Sequence, residues 1–273
     1  MTRFSQRFSI GNFVIGVSAK GFLNSAFSSS GAGRPFVIAE LSGNHSQNYD
    51  TAIAMIEAAA NSGVDAIKVQ TYTADSMTLD VDTSDFVIGE ADSLWRGEKL
   101  HSLYAKAATP YEWHEPLFKH ARMLGLQAFS SPFDEDAVDF LDELDVPCFK
   151  IASFELTDLP LIARAASKGK PLIMSTGMAS EQEIEEAVDT AYENGCKELV
   201  LLKCTSTYPA SPENTNLVTI PDLKQKYGCL VGLSDHTLDT FAAAVAVGQG
   251  AVLIEKHFTL ARADGGVDSA FSL

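Results

Sequence analysis

The sequence predicts a (β/α)8 barrel carrying an N-terminal β-hairpin extension, and three observations point to it. Eight short apolar runs alternate with segments whose apolar residues recur at helical spacing. The 273 residues match the size at which such a barrel forms one unit. Finally, the apolar runs end on charged or hydroxyl residues, as expected where the carboxyl ends of barrel strands assemble a site. An open doubly wound sheet is the architectural alternative.

The elements follow in order. "FSIGNFVIG" places two short apolar runs around Gly11 and Asn12 and reads as a hairpin. The Ser, Gly and Ala rich stretch "SAKGFLNSAFSSSGAG" reads as a flexible linker, so residues 1–33 form the extension and 34–273 the barrel. "RPFVIAE" is the first barrel strand, "YDTAIAMIEAAANSG" its helix and "AIKVQT" the second strand. A connection from Tyr72 to Thr109 then exceeds an ordinary loop and is expected to be a lid or substrate-facing insertion. Thereafter "QAFSSP" precedes "DEDAVDFLDELD", "CFKIAS" precedes "LPLIARAASKG", and "PLIMSTG" precedes "SEQEIEEAVDTAYENG". "ELVLLKCTS" with "IPDLKQKYG", "LVGLSDH" with "LDTFAAAVAVGQG", and "AVLIEKHF" complete the count.

Composition narrows the function. Apolar residues make up 46% and charged residues 21%, which argues for a folded globular chain. A formal charge of −16 disfavours nucleic acid and anionic membrane as partners. It also means that an anionic ligand would need a local pocket of Lys and N–H donors. No apolar run is long enough to span a bilayer, and there is no compact signal-peptide core. Cys148, Cys196, Cys204 and Cys229 form no C-x-x-C pair and read as reduced thiols of a cytoplasmic protein.

Strand ends supply the candidate pocket. They carry Glu40, Lys68, Ser131, Lys150 with Ser153 and Glu155, Ser175, Lys203 with Ser206 and Tyr208, Ser234 with His236, and Glu255 with His257. Period-two geometry puts Lys68 with Gln70, and Glu255 with His257, on lumen faces. Buried lysines need counter-charges, either internal carboxylates or an external anion. With Ser131, Ser153, Ser175 and Ser234 beside them, Lys68 and Lys150 make a phosphate cradle. His236 and His257 end consecutive strands, so two imidazoles can hold a divalent ion whose other ligands are water and substrate. His45, His101, His114 and His120 lie outside this pattern.

"FVIAELSGNH", "IKVQTYT", "FSSPFD", "FKIASFE", "IMSTGM", "GLSDHT" and "IEKHFT" resemble, in order and spacing, the motifs of the sialic acid synthase family over residues 34–270. "LSGNH", "KVQTYT" and "LWRGEKLHSLYAKAATPYEWH" are most similar to its pseudaminic acid synthase branch. The resemblance implies condensation of phosphoenolpyruvate with a 2,4-diacetamido-2,4,6-trideoxyhexose and water, giving a nonulosonic acid and phosphate. It implies phosphoenolpyruvate on Lys68, Ser131, Lys150, Ser153, Ser175 and Ser234. Mn²⁺, with Mg²⁺ or Co²⁺ as alternatives, would sit on His236 and His257. Glu40, Glu155 and Glu255 would act at the reacting carbons, and Ser206 and Tyr208 on the sugar. Ser206 and Lys203 stand where sialic acid synthases often have Asn and His, which favours a different sugar. The family is homodimeric and continues into an antifreeze-like C-terminal domain, whereas this sequence stops at "DSAFSL". The alternatives are an N-acetylneuraminate or legionaminic acid synthase, a Schiff-base aldolase using Lys150 or Lys203, and a non-catalytic phosphate-sugar binding barrel.

Overall fold

The computed structural model describes residues 4–16, 34–89, 93 and 95–273. Strands β1 (Arg7–Ile10) and β2 (Phe13–Gly16) form the antiparallel hairpin, which turns at Gly11 with φ of 56°. That left-handed conformation is one glycine adopts without a steric penalty. Strands β3 (Phe36–Glu40), β4 (Ala66–Thr71), β5 (Gln127–Pro132) and β6 (Phe149–Ile151) continue in parallel with β7 (Leu172–Ser175), β8 (Leu199–Cys204), β9 (Leu230–Asp235) and β10 (Leu253–His257). They pair in chain order, and β10 closes the barrel on β3 with Leu253 opposite Phe36 and His257 opposite Glu40. Both the barrel and its hairpin are therefore as the sequence predicts. The linker assigned to residues 18–33 lies outside the described residues.

The helices are α1 (Tyr49–Asn61), α2 (Ala74–Met77), α3 (Leu100–Ala107), α4 (Tyr111–Met123), α5 (Glu135–Glu143), α6 (Leu159–Ser167), α7 (Glu181–Glu193), α8 (Thr219–Tyr227) and α9 (Phe241–Gly248). Side-chain caps set the starts of α1, α2, α5, α6 and α7. Asn48, Asp134 and Asp158 accept from the backbone N–H three residues on, and Ser180 with Glu183 forms a capping box. Buried positions in α4, His114, Leu117, Phe118 and Ala121, follow helical spacing around Pro116. The proline and the aromatic content hide this helix from a propensity reading.

The hairpin plugs the amino-terminal end of the barrel. Phe8, Ile10 and Ile15 are fully buried in the same core as the strands, Phe13 meets Phe36 edge to face at 5.3 Å, and Glu198 accepts from the Ser9 N–H at 2.6 Å. The long connection is largely structured: it contains α2, a bridge between Val87 and Lys99, and α3, while residues 90–92 and 94 lie outside the description. After β10 the described residues contain no further α-helix. Residues 258–273 instead fold back on the mouth through two short 3-10 turns, tied by Leu273 N–H to the His257 carbonyl and Thr259 N–H to the Leu273 carbonyl. All four cysteines are free and buried.

Two buried imidazoles brace the wall beneath the insertion. His114 Nε2 lies 2.7 Å from the Thr71 hydroxyl and its Nδ1 3.1 Å from the Pro110 carbonyl; His45 Nε2 lies 3.0 Å from the Thr109 hydroxyl. Burial lowers both rings to about 4. They stay neutral in the fold but protonate in the unfolded chain below its ordinary value of 6.5. Their stabilisation is complete above that value and is lost as pH falls toward 4. The stability advantage of wild type over His114→Gln, read from urea midpoints, should therefore shrink by up to about 3 kcal/mol between pH 7 and 4. A pH-independent difference would contradict a neutral His114.

Candidate active site

The carboxyl ends of the strands bring the predicted residues into one buried polar lumen. Glu40 on β3 is 1% exposed and ion-pairs with Lys68 on β4; it also accepts from the Ser42 N–H at 3.1 Å and Gln70 Nε2 at 3.2 Å. Lys68 donates to Ser131 Oγ at 3.1 Å and lies 3.8 Å from Glu255 Oε2. Lys150, 2% exposed, lies 3.7 Å from Glu255 Oε1, which also accepts from Ser234 Oγ at 3.0 Å. Two lysines and two carboxylates thus share a site almost closed to bulk solvent. Of the two counter-charges that buried lysines allow, the internal one is in place.

Charge states follow from that crowding. Burial pushes the Glu40 carboxyl up, and the Lys68 charge only partly offsets it. Glu255 is buried as deeply, yet Lys150 and Lys68 together hold it below the usual range. Burial lowers Lys150, whereas Glu255 and Glu40 outweigh burial at Lys68 and raise it. Glu155 sits on the 3-10 turn Phe154–Thr157 after β6, where burial pushes it up to about 7 against the pull of Lys150.

Several buried polar atoms here have no hydrogen-bond partner among the described residues: Ser175 Oγ, Glu155 Oε2, Glu255 Oε2 and His257 Nδ1. Such orphans are costly in a packed interior and mark space for a ligand. Beside them, Gly177 admits a close approach. A Cβ there would meet Ser206 Oγ, stand 2.7 Å from Ser153 Oγ and 3.2 Å from Cys204 Sγ.

The two histidines end adjacent strands with ring centroids 5.3 Å apart. His236 Nδ1 is 2.9 Å from the Thr205 carbonyl and must donate to it, so Nε2 is the nitrogen that offers a lone pair once the ring is deprotonated; burial opposes the charge on this ring, but the Cys204 thiol outweighs burial and raises it above the ordinary histidine value. Burial holds His257 well below the ordinary histidine value, with the His236 charge adding to it. Among the described residues no group of three or more His, Cys, Asp and Glu side chains is placed to hold a metal. A neutral ring and an oriented one fit an ion that takes two protein ligands and completes its shell with water and substrate. Tyr208 packs on His236 at 4.5 Å and on Phe271 at 5.3 Å.

Lys203 requires a correction. Strand alternation puts Cys204, in register with Ser234, in the lumen; Lys203, in register with Leu233, faces the helix layer. Its ammonium donates to the Cys204 carbonyl at 2.8 Å and Thr205 Oγ1 at 3.3 Å. It is no candidate for an amine nucleophile, and Lys150 alone keeps that possibility. Gln70, placed in the lumen by alternation but given no role, donates to Glu40. The sequence reading also missed two contributors: Cys204 lies 3.9 Å from His236 Nδ1, and the Asp268 carboxylate, which accepts from the Ser42 hydroxyl, lies 3.7 Å from His257 Nδ1. Alternation could have found Cys204. Asp268 belongs to no repeating element and gave no signal.

The molecule is thus a closed (β/α)8 barrel whose mouth gathers paired lysines, serines and carboxylates beside two histidines. Comparison narrows this: the NeuB family model matches residues 55–273, and the chain belongs to that family. It is 47% identical over 238 residues to a pseudaminic acid synthase of Campylobacter jejuni, covering 87% of this chain and 69% of that one. It is 43% identical over 239 residues to a pseudaminic acid synthase of Helicobacter pylori, covering 88% and 70%. The crystal structure of an N-acetylneuraminic acid synthetase from Leptospira borgpetersenii superposes with a TM-score of 0.83 at 30% identity, over 98% of this chain and 84% of that one.

The electrostatics make a direct prediction. A carboxyl group should titrate near 7 by ¹³C NMR, vanish in Glu155→Gln, and move upward in Lys150→Met, because the cation holds it down. Titration of Glu155 between 4 and 5 would contradict its buried position.

Proposed function

We propose that this protein is a nonulosonic acid synthase that condenses phosphoenolpyruvate with a 2,4-diacetamido-2,4,6-trideoxyhexose, releasing phosphate and forming pseudaminic acid. The observation that carries the reading is the Lys68, Lys150 and Glu255 cluster with its four surrounding serines, in a chain 43% to 47% identical to pseudaminic acid synthases. Lys68 and Lys150, with Ser131, Ser153, Ser175 and Ser234, hold the phosphate and carboxylate of phosphoenolpyruvate. As the anion enters, it takes over cations now shared by Glu40 and Glu255.

His236 and His257 would hold a divalent ion, Mn²⁺ in the first instance, which supplies Lewis-acid polarisation of the sugar aldehyde when bound. C3 of phosphoenolpyruvate forms the new carbon–carbon bond to the aldehyde carbon as the C=O π pair moves to the aldehyde oxygen, which takes up a proton to become a hydroxyl, and C2 gains oxocarbenium character. Glu40 and Glu255 face that centre and stabilise the positive charge. Glu155, which burial pushes up to about 7, accepts a proton from the water that adds to C2. The resulting tetrahedral centre expels phosphate and leaves the 2-keto acid. Ser206 and Tyr208 contact the sugar. A cytoplasmic, homodimeric enzyme belongs to the same proposal; the free, buried cysteines support a reducing compartment, and no described helix is long and apolar enough to cross a membrane.

Phosphate release, measured with the diacetamido-trideoxyhexose and with N-acetylmannosamine, tests the proposal. The first sugar should give a kcat/KM at least ~100-fold higher, the discrimination available when a site lacks partners for the competitor's polar groups. Activity should disappear with EDTA, and borohydride should trap no adduct on Lys150. Equal or better use of N-acetylmannosamine would return the protein to the sialic acid synthase reading, and a trapped adduct to the aldolase reading.

A further inference from the structure

We infer that Tyr104 on α3, backed by Tyr72, is a specificity-determining residue that forms an apolar wall for the deoxygenated, acetamido-bearing part of the sugar. The inference rests on the function proposed above and names the residue that selects the sugar. Helix α3 is fastened over the mouth. Gln47 Nε2 donates to the Ala105 carbonyl at 2.7 Å and the Ala108 carbonyl at 3.1 Å. Gly43 approaches so closely that a Cβ there would stand 2.9 Å from the Ala107 Cβ. The helix is thereby held on the loop that follows Glu40, next to the reacting centre.

Tyr104 projects from this helix onto Tyr72, which directly follows β4. Their rings meet edge to face at 5.9 Å, and Tyr72 meets Phe133 at 5.2 Å on its other side. Tyr72 is almost completely buried and Tyr104 half-buried, so one tyrosine is the support and the other presents a free aromatic surface. Burial raises both phenols, with Glu155 adding to the effect at Tyr104 and Asp268 and Glu40 at Tyr72, so both rings remain neutral beside the acidic lumen. A neutral aromatic face next to a polar mouth suits methyl and acetamido groups and offers nothing to repay the dehydration of extra hydroxyls. A hexose with a methyl at C6 and an acetamido group at C4 matches it; N-acetylmannosamine, hydroxylated at both positions, does not.

The test uses Tyr104→Ala and Tyr104→Gln, the second keeping most of the volume while removing the aromatic face. Phosphoenolpyruvate affinity by calorimetry reports whether the barrel is intact, and phosphate release gives kcat/KM for each sugar. Both variants should lose about 10- to 100-fold in kcat/KM for the diacetamido-trideoxyhexose, in the range one apolar contact can discriminate. Phosphoenolpyruvate affinity should stay unchanged and any N-acetylmannosamine turnover should change by less than about 3-fold. Tyr104→Phe should retain most of the activity. Unchanged kcat/KM for the trideoxy sugar, or equal losses on both sugars, would overturn the role of Tyr104. Wild-type preference is read in the same assay and bears separately on the function: preference for N-acetylmannosamine would contradict the proposed substrate itself.

Discussion

Everything at the mouth of this barrel depends on two lysines buried against two carboxylates. Lys68 and Lys150 would each cost several kcal/mol to bury alone, on the order of the penalty for an unpaired interior charge. Glu255 lies within 4 Å of both ammonium groups, and Glu40 pairs with Lys68. The arrangement is tolerable as a unit but poor as a stability device, because apolar residues of similar volume would fill the lumen at lower cost. Stability alone does not account for such a cluster; the binding proposed above does. The orphaned oxygens of Ser175, Glu155 and Glu255 show the same thing from the acceptor side.

The rest of the fold delivers that cluster. Chain-order pairing of eight strands places Lys68 beside Glu40 and Glu255 beside Ser234, and closure of β10 on β3 brings His257 opposite Glu40. At the far end the hairpin seals the barrel with Phe8, Ile10 and Ile15, so the lumen opens on one side only. The loops then divide the labour. The 204–208 segment orients His236 through the Thr205 carbonyl, and α3 brings aromatic surface to the side where the sugar would lie. Residues 258–273 carry Asp268 back to the Ser42 hydroxyl and set Phe271 edge to face against His257 at 5.1 Å.

The barrel was legible because strand and helix periods are local properties. The run "AIKVQT" announces a strand buried on both faces, and alternation alone puts Lys68 and Gln70 in the lumen. The same rule applied to "LVLLKC" puts Cys204 inside and Lys203 outside, yet a lysine at a strand end invites a functional reading that the register does not support. Helix α4 was obscured by Pro116 and by His114, a histidine that is buried as a neutral strut rather than exposed as a ligand. Asp268 was beyond reach for a different reason: its place is fixed by tertiary bonds from Asn44 and Ser42, residues more than two hundred positions away. No local pattern encodes such a contact.

The central claim is that Lys68 and Lys150 exchange internal carboxylates for the phosphate of phosphoenolpyruvate. Calorimetric titration of phosphoenolpyruvate into wild type, Lys68→Met and Lys150→Met addresses it directly. Each substitution removes a charge-assisted donor while keeping an apolar stem, so affinity should weaken by ~1.5 to 3 kcal/mol in each variant. Unchanged affinity in both variants would mean that the two lysines only neutralise the lumen and that phosphate binds elsewhere.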